Sequence, residues 1–175
     1  MSGPPPPPRP QPVPDVDAAR ESVTAVTGRL DATMLRATSF TQDERHQRVD
    51  DEWSTVESLR HLVLVVDLWL SRNIQGEQDP FHSIGLPPSF MPPKLPGSSI
   101  DPDARPTFEQ ACEVLRGRLA DLRGYVDKLT QEELDRPIEA HAGTVAGGLG
   151  VIFDELNAHD RFINRDLESI ENSRE

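Results

Sequence analysis

Apolar residues recur at steps of three and four in four stretches of the chain, the spacing that places side chains on one face of a helix. In the first two stretches these residues are Ala19, Val23, Val26, Leu30 and Met34, and then Val56, Leu59, Val63, Val66 and Leu70. In the last two they are Phe108, Cys112, Leu115, Leu119, Leu122, Val126 and Leu129, and then Leu149, Ile152, Leu156, His159, Ile163, Leu167 and Ile170. The pattern predicts four amphipathic helices and no strand, because no segment alternates between apolar and polar residues.

Capping signals predict where these helices begin. Ser54 is followed three residues later by Glu57, and Thr107 by Gln110, which is the spacing of a capping box. The second and third helices are therefore expected to start at these positions, and the fourth covers about residues 144–170.

Four helices of this kind bury their apolar faces best as a bundle. Residues 75–106, between the second and third helices, hold three glycines and eight prolines and form a connection long enough to cross the bundle. We therefore expect an all-α four-helix bundle in up-down-down-up order. The second helix is apolar around most of its circumference, more than one core covers, and this favours a homodimer.

Residues 1–14 contain eight of the 17 prolines and predict a disordered, polyproline-like tail before a single bundle domain at residues 15–172. This tail could dock on an aromatic groove of a partner, but a solvated extension is the simpler interpretation. The net charge of −12 disfavours binding to nucleic acid and to anionic membranes, both of which attract basic surfaces.

Further features narrow the classes of function. The single cysteine, Cys112, excludes an intramolecular disulfide and is typical of an inert, packed thiol. No apolar run reaches the roughly 20 residues of a membrane span, and the proline-rich start does not resemble a signal peptide, so we expect a soluble, cytoplasmic protein. The glycines of residues 143–150 do not have the spacing of a phosphate-binding loop and are expected to let two helices approach closely.

Two of the five histidines, His61 and His159, fall on apolar helix faces, where an unpartnered imidazole is costly. His46 and His141 are instead expected to be solvated. Glu155 precedes His159 by four residues, which places its carboxylate one turn away on the same face. His61, Glu155 and His159 thus form a candidate metal site, for which Zn²⁺ or Ni²⁺ is expected and Mn²⁺ or Fe²⁺ is an alternative. The competing interpretation is a simple Glu–His hydrogen bond.

Three segments resemble parts of a known family. They are EWSTVESLRHLVLVVDLWL (52–70), PFHSIGLPP (80–88) and VIFDELNAHDRFINRDLESI (151–170). The first and last are similar to the second and last helices of the DinB superfamily of four-helix proteins, which includes mycothiol- and bacillithiol-dependent enzymes, and the middle one is similar to a loop of actinobacterial members. The resemblance covers about residues 15–170 and implies an up-down-down-up bundle that often dimerises.

Members of this family typically bind one divalent metal through three histidines, one on the second helix and two spaced by four residues on the last. His61 matches the first histidine and His159 the later one of the pair, whereas Glu155 stands in place of the earlier one. The resemblance therefore implies a three-ligand site whose carboxylate changes the charge around the metal.

Two functional hypotheses follow. In the first, the protein is a metal-dependent S-transferase that joins a low-molecular-weight thiol of the mycothiol type to an electrophile, because a bound metal lowers the pKa of the thiol. His82, in the long connection, then acts as a proton donor or acceptor, unless it is a surface histidine. In the second hypothesis, the bundle has lost the metal and binds a small molecule or a protein partner without catalysis.

Overall fold

The computed structural model of the chain describes residues 10–175. Its helices are α1 (Val16–Ala37), α2 (Gln42–His46), α3 (Thr55–Val66), α4 (Phe108–Asp127), α5 (Gln131–Asp135) and α6 (Val145–Asn172), and α3 continues directly into a π-helical segment (Asp67–Ile74). Extended pairing in residues 10–175 is limited to one isolated bridge, between Pro137 and Thr144. The prediction of an all-helical protein is therefore confirmed. Over the same residues, no helix combines the length and apolar character that crossing a membrane requires.

The four long helices begin close to the predicted positions. Ser54 and Thr107 cap α3 and α4 with complete capping boxes, as their spacing predicted. The short helix α2 was not predicted, although Thr41 and Glu44 form the same motif at its start. Here the local signal was present, but five residues are too few to show an apolar face.

One hydrophobic core lies between the long helices. Helix α1 packs against α4 and α6, and α3 packs against the same two helices. Each helix contributes large side chains that are almost completely buried, among them Leu30, Leu59, Leu115 and Ile152. Burying such a side chain stabilises the fold by about 1.5–3 kcal/mol, so this shared core is the main source of stability.

The connection between α3 and α4 folds back onto the outer side of α3. Leu64 of α3 forms a second, smaller apolar cluster with Phe81 and Ile100 of the connection. The buried Arg60 side chain donates to the carbonyl of Ile84 over 2.8 Å, which fastens the connection to the helix. This cover accounts for the apolar circumference of α3, so that pattern no longer indicates a dimer.

A buried carboxylate, Asp67, anchors the same connection. Its Oδ2 accepts a hydrogen bond from the backbone amide of His82 over 2.9 Å, and its Oδ1 lies 2.5 Å from Nε of Arg118 in α4. Burial raises the pKa of Asp67, while the His82 amide and the Arg118 guanidinium favour its ionised form. Asp67 therefore links the connection, the π-helical segment and α4.

The segment before α1 differs from the predicted disordered tail. Val13 is buried, and its amide donates to the carbonyl of Ala146 over 3.1 Å. At Gly150 of α6, a Cβ atom would lie 2.2 Å from the Gln11 carbonyl oxygen, so only glycine admits the segment there. Residues 10–14 thus contact α6, and the remainder of the predicted tail, residues 1–9, lies outside the described residues.

One glycine at the start of α6 has the predicted role: at Gly148 a Cβ atom would lie 3.1 Å from Cδ1 of Ile74 in the π-helical segment, so two helices approach closely there. Two others have a different role. A Cβ atom at Gly147 would lie 2.2 Å from the carbonyl oxygen of Ala142 in the preceding loop, just as Gly150 admits the N-terminal segment. Gly147 and Gly150 thus make room for the backbone of irregular segments, which the sequence did not predict.

We predict that Val13→Ala lowers the free energy of unfolding by about 1–2 kcal/mol, because it removes buried methyl groups and leaves a small cavity on α6. For a chain of this length, each kcal/mol lowers the melting temperature by about 2–4 °C, which thermal unfolding followed by circular dichroism would detect. Leu35→Ala is the control, since Leu35 of α1 is 69% exposed. Equal melting temperatures for Val13→Ala and the wild type would contradict the packed arrangement.

Candidate metal centre

Three potential ligands from two helices converge on one point. His61 lies on α3, and Glu155 and His159 lie one turn apart on α6. The Nε2 atoms of His61 and His159 are 3.4 and 3.5 Å from the same carboxylate oxygen, Oε2 of Glu155. One donor atom of each residue lies within 4.8 Å of the other two. The structure thus brings together the three residues that the sequence singled out.

The long connection sets the orientation of the His61 ring. Nδ1 of His61 is 2.9 Å from the carbonyl oxygen of Leu86, which can only accept a hydrogen bond. In the neutral ring the proton therefore belongs on Nδ1, and the lone pair of Nε2 faces Glu155. A backbone carbonyl behind the distal nitrogen is the usual arrangement for a histidine that binds a metal.

The His159 ring is enclosed on its other side. Its side chain is 13% exposed, and its Nδ1 atom is buried without a hydrogen-bond partner in residues 10–175. Nε2 is thus the ring nitrogen that meets a polar neighbour, and that neighbour is Glu155. Nε2 of this ring is therefore directed at the candidate metal position, whereas Nδ1 is buried on the opposite side.

The charge of Glu155 completes the donor set. When their Nε2 atoms carry protons, hydrogen bonds from His159 and then from His61 outweigh burial and lower the pKa of Glu155 to about 2. Separations of 3.4 and 3.5 Å are too long for strong hydrogen bonds. They match the roughly 3.4 Å between neighbouring ligands of a tetrahedral zinc ion with bonds of about 2.1 Å. Two imidazoles and a carboxylate at this spacing fit a divalent metal ion.

An aromatic wall supports both imidazoles. The ring of Trp53, the residue just before the cap of α3, lies 4.7 Å from that of His61 and 6.0 Å from that of His159, measured between centroids. Phe162 meets His159 edge-on at 5.7 Å. These contacts restrict how far either ring can turn, and a metal site needs ligands that are held in place.

Two cavities adjoin the donor set. One has a volume of about 380 Å³ and includes all three donor residues in its lining, together with Trp53 and mainly apolar side chains. The other, of about 520 Å³, is lined by Trp53, His159 and Phe162 and by charged residues, namely Arg48, Asp51, Glu52 and Asp166. Trp53 and His159 belong to both linings, so the two cavities adjoin at these side chains, beside the candidate metal position.

His82 lies apart from this centre and lines neither of the two cavities. Its backbone is held by Asp67, and its Nδ1 accepts a hydrogen bond from the amide of Ile84 over 3.2 Å. Burial and the charge of Arg118 lower the pKa of His82, so its ring is neutral in neutral solution, with the proton on Nε2. The predicted catalytic role of His82 stays a prediction.

Two residues near the centre were not predicted from the sequence, His141 and Phe90. His141, which was expected to be solvated only, is exposed but lines the apolar cavity and meets Trp69 edge-on at 5.0 Å. Phe90 of the long connection lines the same cavity. Both residues lie in irregular segments, where no periodicity indicates which way a side chain faces.

Comparison with known proteins identifies a family to which the chain is similar. No curated protein and no solved structure matches this chain. A family model does match, over residues 18–163, and its description is the DinB superfamily. The matched range includes all three potential ligands and confirms the resemblance seen in residues 52–70 and 151–170. The chain belongs to the DinB superfamily.

Proposed function

We propose that this protein binds one divalent metal ion through His61, Glu155 and His159 and uses it to transfer a low-molecular-weight thiol of the mycothiol type to an electrophile. The observation that carries the proposal is the convergence of two imidazole nitrogens on one carboxylate oxygen, at 3.4 and 3.5 Å, beside two cavities. Zn²⁺ and Ni²⁺ suit this donor set best, and Mn²⁺ and Fe²⁺ are alternatives.

A divalent metal in this position supplies a Lewis acid that lowers the pKa of a thiol, so that thiolate is present at neutral pH. The protein contributes the orientation of the ligands. Leu86 holds His61 with Nε2 turned inwards, and Trp53 packs on both imidazole rings. Glu155 offsets one unit of the metal's charge, where a third histidine would offset none.

The two cavities support a reaction with two substrates. They have different chemistry: one is mainly apolar, and the other is lined by an arginine and several carboxylates. Because His159 lines both, molecules in the two cavities meet beside the same ligand. We assign the polar cavity to the thiol and the apolar cavity to the electrophile.

Two further parts of the proposal concern His82 and the oligomeric state. His82 is offered as a proton donor or acceptor, because it lies in the connection that also orients His61. Dimerisation is offered on family membership alone, since the connection covers the apolar outer side of α3.

We also infer the up-down-down-up order of the four long helices. Arg29 and Arg36 of α1 contact Asn157 and Asn164 of α6 in the same order along both helices, which supports a parallel pair. Arg20, near the start of α1, donates to the backbone carbonyls of Asp127, the last residue of α4, and Leu129, just beyond it, which supports an antiparallel pair. Glu52, just before α3, contacts Arg165, whereas His61, later in the chain, contacts the earlier residue Glu155 of α6. This reversed order supports an antiparallel pair of α3 and α6.

Metal binding is the first test. We expect wild-type protein to bind about one Zn²⁺ or Ni²⁺ per chain and to melt at a higher temperature with the metal than without it, because the ion binds the folded state. His61→Ala should remove stoichiometric binding and the thermal shift while keeping the helical circular dichroism signal. Isothermal titration calorimetry and thermal unfolding measure the two effects.

His46→Ala is the matched control, since His46 is exposed on α2 and away from the donor set. Glu155→His should keep the site and shift its preference towards metals that favour imidazole over carboxylate. Equal binding by the wild type and His61→Ala would refute the ligand assignment. Without any binding at micromolar metal, the alternative function, a non-catalytic bundle that binds a small molecule or a protein partner, takes precedence.

The pH dependence of metal binding tests the chemistry of the donors. The pKa of Glu155, lowered to about 2, keeps the carboxylate ionised in mildly acidic solution. Imidazole binds a metal in its neutral form, and histidines in general titrate near pH 6.5. Affinity should therefore be constant above about pH 7 and fall below about pH 6, as protons compete for the ring nitrogens. A profile that falls only near pH 4 would indicate that carboxylates alone hold the ion.

Thiol transfer is tested with the metal-loaded protein, mycothiol and 1-chloro-2,4-dinitrobenzene, which releases chloride as the carbon–sulfur bond forms and gives a coloured thioether. The wild type should exceed the uncatalysed rate, and His61→Ala should not. His46→Ala should retain the wild-type rate. A wild type that binds metal yet gives only the uncatalysed rate with this and other electrophiles would restrict the function to metal binding.

A further inference from the structure

The apolar cavity beside the candidate metal centre concentrates aromatic side chains. Aromatic residues make up only 5% of the chain, which has two tryptophans, and both tryptophans line this one cavity. Phe90 adds a third ring, and Met91 adds a flexible thioether that packs well against aromatic groups. Aromatic rings pair favourably with one another beyond the area they bury. The lining therefore favours an aromatic occupant over an aliphatic one.

The charges around the cavity restrict the occupant further. Of the described residues that line it, none is a lysine or an arginine, and its single carboxylate is that of Glu155. An anionic ligand buried here would lose its water without gaining a lysine or arginine as a partner. An uncharged ligand avoids this cost.

The cavity is also accessible and of suitable size. Its volume of about 380 Å³ lies in the range of small-molecule sites, about 300–1,000 Å³. Phe90 lines it while being 86% exposed, on a short turn closed by a hydrogen bond from the Met91 amide to the Pro88 carbonyl over 2.9 Å. A large apolar side chain exposed at a cavity gives an arriving ring a surface to pack on.

We propose that this cavity binds an uncharged aromatic small molecule, with its ring among Trp53, Trp69 and Phe90. The assignment of this molecule as the electrophile rests on the proposed function. Its binding does not, because the aromatic contacts lie on the protein and need no metal.

Tryptophan fluorescence provides the test, since both fluorophores are in the cavity and nitroaromatic compounds quench tryptophan. The probes are 4-nitrobenzyl alcohol and 4-nitrobenzoate, which share the ring and differ in charge, and they are titrated into chelator-treated protein. We expect saturable quenching by the alcohol and affinity for the benzoate that is at least about tenfold weaker, because the carboxylate finds no partner. Calorimetry then compares the affinity for 4-nitrobenzyl alcohol with that for cyclohexylmethanol, an aliphatic alcohol. Equal affinity for the two alcohols would refute the preference for aromatic ligands.

Two variants locate the binding. Val151 is half-buried on α6, one turn before Glu155, and lines the cavity, so Val151→Phe should fill it and weaken binding of the alcohol at least about tenfold. Leu35→Phe, at an exposed position of α1, should bind like the wild type. Phe90→Ala should weaken binding several-fold without risk to the fold, because Phe90 is exposed. Unchanged affinity in both Val151→Phe and Phe90→Ala would overturn the proposal.

The failures of the two proposals can be told apart. If the wild type binds the alcohol but binds no metal, the aromatic site stands and the metal-dependent function falls. If the wild type binds metal through His61 but neither quenching nor heat accompanies addition of the alcohol, the metal site stands and the aromatic site falls.

Discussion

The packing of the helices and of the long connection depends on one constraint, which is that α3 must be buried on nearly every side. Its inner face enters the common core, where Leu59 is almost fully enclosed, and its outer face carries Leu64, which α4 and α6 do not cover alone. The connection of residues 75–106 supplies the missing cover with Phe81 and Ile100. Leaving such side chains in water would cost about 1.5–3 kcal/mol each, so the connection is held on the helix although it has no regular structure of its own.

The same constraint also shapes the candidate metal centre. Once the connection lies on α3, the Leu86 carbonyl stands behind the His61 ring and fixes which nitrogen faces Glu155. The same segment continues to Phe90, which closes part of the apolar cavity. The polar anchors at Arg60 and Asp67 keep this segment in register, because each satisfies backbone groups that would otherwise be buried without partners. Core packing and ligand orientation are therefore parts of one arrangement.

The candidate centre shows how a bundle can present reactive groups without strain in its backbone. Helices α3 and α6 carry the three donors, so their positions are as rigid as the core beneath them. Glu155 and His159 need only helical spacing to be neighbours, whereas His61 must be brought to them by helix packing. The Glu155 carboxylate gives this member of the DinB superfamily a more negative donor set than three histidines would. That charge favours a cation at the centre.

Local periodicity and residue type were enough to predict the four long helices, the caps of α3 and α4 and the three potential ligands. The sequence predicted Ser54 and Thr107 as helix starts, and it paired Glu155 with His159 through one helical turn. Other features depend on contacts between residues far apart in the chain, which spacing does not encode. Such contacts place Val13 on α6, fold residues 75–106 over α3, and bring His141 and Trp69 to one cavity. Tertiary packing fixes these three arrangements. A side chain in an irregular segment has no periodic face, so its orientation depends on the surface against which it packs.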